Sequence, residues 1–212
     1  MFIHTGKLRY WPDIEKRPVV INNPTHQQLI ESLRYVPAGS VFICMSDSFI
    51  SKLIGLYAFF INFFTFLFAG FRCNFSHAGL YFGNGTNMTI EAESKGVIID
   101  NFKRMLDKKH RAKVFFYKDM SVLQFQKMKE YAYQQLGKPY DYAAFVKFII
   151  KQIKQNQGAD ICTELVACAL NYANIPNIKK DPSQIHPFED EQYFEGDQGF
   201  NDGHRKVWEY GY

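Results

Sequence analysis

The stretch Phe75–Glu93 reads FSHAGLYFGNGTNMTIEAE, and its alternation decides the fold class. In Ser76–Phe82, His77, Gly79 and Tyr81 fall on one face of a strand, and Ala78, Leu80 and Phe82 on the other. Gly83-Asn84-Gly85 is a turn signal. Beyond it, Thr89, Glu91 and Glu93 share a face opposite Ile90 and Ala92. This predicts an antiparallel hairpin. A three-residue loop (83–85) sets His77 opposite Glu91. A five-residue loop (83–87) sets it opposite Glu93, with Glu91 diagonal. Both registers match apolar to apolar and put a carboxylate beside the imidazole, so both stand.

Working outward, Gly39–Met45 (GSVFICM) and Ala112–Tyr117 (AKVFFY) read as further strands, and Lys206–Tyr210 as a terminal one. Leu123, Met128, Tyr131 and Leu136 have helical spacing, with Ser121 as cap and Gly137-Lys138-Pro139-Tyr140-Asp141 as stop. A second helix is expected from Tyr142 to Gln155, and a third from Asp160 to about Ala173. Strands and helices in separate runs make the fold class α+β, a small antiparallel sheet packed on helices.

Composition bounds the function. The chain has 212 residues, 47% hydrophobic and 17% aromatic, with a net charge of +4. That excludes disorder, and the small charge without a basic run argues against a nucleic-acid partner. Cys44, Cys73, Cys162 and Cys168 show no metal-ligand spacing and no disulfide-scaffold pattern. No metal and no cofactor are expected. The first residues carry no secretory signal pattern, so a cytoplasmic location is expected.

Between Lys52 and Arg72 lie 19 uncharged residues, LIGLYAFFINFFTFLFAGF. As a helix they would span roughly 28 Å, near bilayer thickness. Three readings stand for 53–71: an apolar helix at a membrane surface or substrate cleft, a buried helix, or a span.

Three residues invite chemistry. Cys162, two residues after the candidate cap Asp160, would lie in the first turn of a helix. There unsatisfied N–H groups and the dipole stabilise a thiolate or an oxyanion. The bland alternative is a small buried hydrophobe, the reading given to Cys168 deeper in the helix. His77 with a carboxylate neighbour matches the base of a triad, or a chance surface ion pair. Tyr140 is a phenol just ahead of the helices that lead to Cys162.

The ordered set Gly39-Ser40-Val41-Phe42-Ile43, Ser76-His77-Ala78-Gly79-Leu80-Tyr81, Ile90-Glu91-Ala92-Glu93 with Gly96-Val97, Gly137-Lys138-Pro139-Tyr140-Asp141 and Cys162-Thr163-Glu164-Leu165-Val166 resembles the circularly permuted papain-like amidases of the YiiX/YaeF group, within the NlpC superfamily. The resemblance covers about residues 37–190. It implies a permuted papain-like catalytic domain there, after an N-terminal extension (1–36) and before a C-terminal tail (191–212), with an extra apolar helix at about 50–72. It implies Cys162 as nucleophile, His77 as general base and acid, Glu91 as orienting residue and Tyr140 near the oxyanion. The implied activity is thiol hydrolysis of an amide bond in a peptide or peptidoglycan-like substrate, through a thioester acyl-enzyme. Ser40 stands where the family has aspartate, and 53–71 is longer and more aromatic than expected. The second departure is similar to lecithin retinol acyltransferase relatives, which share the permuted fold and act on acyl lipids. A lipid acyl hydrolase or acyltransferase at a membrane surface is therefore the alternative expectation, and a non-catalytic binding module the third.

Overall fold

A computed structural model describes residues 19–21, 26–46, 77–83, 85–106, 109–141, 162–179, 181–182, 185, 187–196 and 202–211. The expected helices at 53–71 and 142–155, and Asp160, lie outside these residues.

The described elements are β1 (Val19–Ile21), α1 (His26–Ser32), a 3-10 turn (Leu33–Tyr35), β2 (Ser40–Ser46), β3 (His77–Gly83), β4 (Met88–Glu93), β5 (Gly96–Asn101), α2 (Phe102–Leu106), β6 (Lys109–Tyr117), α3 (Val122–Gln134), α4 (Cys162–Tyr172), α5 (Pro187–Glu195) and β7 (His204–Gly211). Seven strands form one sheet in the order β1-β7-β6-β2-β3-β4-β5. Six of them pair antiparallel, and the short β1 runs parallel to β7 at the edge. Residues from both ends of the chain thus complete the sheet that carries the central hairpin.

Alternation along the strands builds two apolar faces. Val41, Leu80, Ile90 and Phe115 share one face by register. There Phe82 meets Phe125 of α3, and Phe115 stacks on Phe194 of α5 at 5.2 Å. α4 packs against β3, β4 and α3. On the other face Phe102 sits among Phe42, Tyr81 and Trp208. The Trp208 indole N–H donates to Ser32 Oγ at 2.9 Å, so this fully buried ring has its polar atom satisfied.

Ser121 caps α3 as its spacing predicts. Its hydroxyl accepts from the Gln124 N–H, and the Gln124 side chain accepts from the Ser121 N–H, a complete capping box. At the far end of α4, the Ile175 N–H donates back to Leu170 O and Asn174 adopts φ 53°, closing the helix with a left-handed residue. Cys168, expected in the core, is only half-buried. The helix turns it partly aside while Leu165, Val166 and Ala169 take the core positions.

The loop after α3 is tied to the start of β5. The Gly137 N–H donates to Val97 O, and the Val97 N–H to Lys138 O, both at 2.9 Å. Gly96 makes this approach possible: its φ is +104°, and a Cβ there would meet Lys138 O at 2.3 Å. Gly96→Ala is expected to cost about 2–4 kcal/mol in denaturant unfolding, through backbone strain and steric overlap together. Gly85→Ala, at φ +70° with open space around it, should cost only about 1 kcal/mol.

Candidate active site

His77 opens β3 and Cys162 opens α4, so each side chain stands where its element begins. α4 packs against β3 and β4 with Leu165, Val166 and Ala169 buried, and its first residue meets the His77 end of β3. Glu91 lies on the neighbouring β4. The hairpin adopts the register of the longer loop: Leu80 pairs with Ile90 and Tyr81 with Thr89, with an irregularity before Gly83–Met88. Continued along the strands, that register sets His77 level with Glu93. The diagonal Glu91 nevertheless makes the bond, its Oε2 lying 2.5 Å from His77 Nε2. Glu91 is fully buried, whereas Glu93 is half-exposed at the strand end. A buried carboxylate needs a charged donor more than an exposed one does, and the imidazole supplies it.

Nε2 faces Glu91, which leaves Nδ1 for the thiol. The sulfur of Cys162 hydrogen-bonds the His77 ring and receives the backbone N–H groups of Ala78 and Thr163. Burial works against charge on His77. The bonds to Cys162 and Glu91, and the attraction of their negative charges, outweigh it and raise the imidazole to about pKa 9. Burial likewise pushes the Cys162 thiol up. Its bond to His77, the imidazolium charge and the two N–H donors outweigh this and hold the thiol below its ordinary value. The arrangement can therefore hold a thiolate–imidazolium pair backed by a carboxylate. Cys162 is 4% exposed and His77 8%, so the pair sits at the edge of the core.

Tyr140 is half-buried, packed on the core at the loop tied to Gly96 and Val97. Gly96 pairs with Glu93, so this loop comes to the same end of the sheet as His77. Thr89 also touches this chain of bonds, although no motif marks it. Its hydroxyl donates to Glu91 Oε1 at 3.3 Å. The alternation that put Thr89 and Glu91 on one face was its signal.

Ligand atoms of His77, Glu91 and Glu93 lie within 4.8 Å of one another, a donor set suited to a divalent cation. A cation there would take up the Nε2 and Oε2 atoms that bond each other, so it would compete with the His77–Glu91 bond.

The family profile described as permuted papain-like amidase enzyme, YaeF/YiiX, C92 family, matches residues 36–183. The chain belongs to that family. Its fold is accordingly the permuted papain-like α+β fold, and at family level the protein is a cysteine-type hydrolase. Among curated proteins nothing matches. Among solved structures the chain is similar to the metalloprotein YiiX from Escherichia coli O157:H7, at 22% identity and a TM-score of 0.49, over 66% of this chain and 67% of that one. No helix among the described residues is long and apolar enough to cross a membrane.

Proposed function

We propose that the protein hydrolyses an amide bond of a peptide or peptidoglycan-like substrate through a thioester on Cys162. The observation that carries this is the line Glu91–His77–Cys162, with the ring bonded to an acid on one side and to sulfur on the other. The thiolate attacks the carbonyl carbon. The oxyanion that forms is held by the N–H groups at the start of α4, with the Tyr140 hydroxyl as a further donor. The imidazolium gives its proton to the leaving amine, and the thioester remains. Neutral His77 then takes a proton from water, whose oxygen attacks the thioester and releases the acid and the thiolate. Glu91 keeps the ring in register and supports its charge throughout.

A second reading has its own support. Cys44 of β2 pairs directly with His77 of β3. The apolar run 53–71 is inserted between those two strands, so the chain leaves and re-enters the sheet within a few residues of the site. A lipid acyl substrate, met at a membrane surface, is therefore the alternative to a peptide.

The test is intact-mass spectrometry after rapid quenching, with peptide, muropeptide and phospholipid-vesicle substrates in parallel. An acyl adduct on Cys162 from the peptide or muropeptide arm is the expected result. An adduct from the vesicle arm alone would establish the lipid reading. No adduct or product in any arm would leave a binding module.

A further inference from the structure

We propose that Thr89 is a positioning residue of this site, its hydroxyl holding the Glu91 carboxylate with Oε2 turned to His77. The inference rests on the triad reading above and deepens it. Thr89 and Glu91 are two residues apart on β4, face the same side of the sheet and are both fully buried. An ionised carboxylate is acceptor-only, so each buried oxygen needs its own donor. His77 serves Oε2 at 2.5 Å, and Thr89 serves Oε1 at 3.3 Å. No other hydrogen bond to Glu91 oxygens is found among the described residues.

Without the hydroxyl, Oε1 is left buried with no donor among the described residues, which disfavours the charged carboxylate and frees it to rotate. Glu91 then supports the imidazolium less well, and the imidazolium supports the thiolate less well. Two bonds from the ring, Thr89 thus acts on the sulfur. The other titratable groups around this chain of bonds are Cys44 opposite His77, Tyr81 and Asp100 on either side of Thr89, and Glu93 at the strand end. Asp100 is already engaged by Arg104 at 2.9 Å. Removing the hydroxyl leaves all of them in place.

The experiment needs no knowledge of the substrate. Wild type, Thr89→Val and Thr89→Ser are alkylated with iodoacetamide across a pH series, and the rate at Cys162 is read by peptide mass spectrometry. In Thr89→Val the inflection of the rate profile should rise by about one pH unit, the size expected when one hydrogen bond to a buried charge is lost. At pH values below the wild-type inflection its rate should fall about tenfold. Thr89→Ser, which keeps the donor, should overlay wild type. Thr89→Ala provides a second donor-free variant with the same expected shift should the valine variant fold poorly. A valine or alanine profile that overlays wild type overturns the proposal. So does a serine profile displaced as far as the valine one, since packing rather than the hydroxyl would then be responsible. A wild-type inflection at the ordinary thiol value removes the triad reading itself and the proposal with it, and this shows in the wild-type arm alone.

Discussion

Cys162→Ala is expected to lower kcat by at least ~10,000-fold, the loss seen when the nucleophile of a catalytic unit is removed. No acyl adduct should form on the variant. The fold should survive, with a stability change within about 1 kcal/mol, because alanine is a good helix former and little volume is lost. Neither remaining described cysteine can substitute. Cys44 is fully buried in β2, and Cys168 lies nearly two turns further along α4. Steady-state turnover, far-ultraviolet circular dichroism and thermal unfolding of the one variant check this together. Turnover within tenfold of wild type would mean that the bond is cleaved by another group.

His77→Gln should lower kcat/KM by about 1,000-fold, since one side chain is both proton carrier and counter-ion. The sulfur gives a second readout. With the imidazolium gone, burial acts on the thiol without its main opponent, so its pKa should move upward. The sign for the intact enzyme follows from the same pair of shifts. Activity needs the thiolate together with the protonated ring. It should therefore appear as pH rises through the lowered thiol value and disappear as pH rises through about 9, where His77 loses its proton. His77→Gln also strands Glu91, a fully buried carboxylate, without a charged partner. That should cost about 3–5 kcal/mol of stability, as breaking one side of a buried ion pair does. The double variant His77→Gln, Glu91→Gln should recover most of that stability and none of the activity. Recovery of activity in the double variant would contradict the role given to the ring.

The elements that carry the site were legible where a period was long enough to read. Strand alternation located β2, β3, β4 and β6, and helical spacing with Ser121 and the 160–173 run located α3 and α4. β5 follows β4 across a turn at Ser94-Lys95, and its six residues merged with the stretch around them. α2 has only five residues, fewer than two turns. α1 and β1 are short pieces in a proline-broken stretch, and α5 has no marked apolar stripe.

At the site, the carboxylate could not be assigned from the strand pattern, because Glu91 and Glu93 point the same way and both loop lengths matched the apolar residues. Burial separates them: the diagonal partner is interior and the level one is not. The meeting of His77 with Cys162 was beyond local reading altogether. No periodicity links a strand residue to the first turn of a distant helix, and only the order of motifs along the chain suggested it. The Thr89 bond was the reverse case, readable from alternation but without a motif to draw attention to it.

The thiolate absorbance of wild type minus that of Cys162→Ala, followed as pH is raised, tests most directly whether sulfur and ring form a charged pair. The account predicts a thiolate signal already present at neutral pH and lost in the same difference taken on the His77→Gln background. A signal that appears only in the ordinary thiol range, with or without His77, would contradict it.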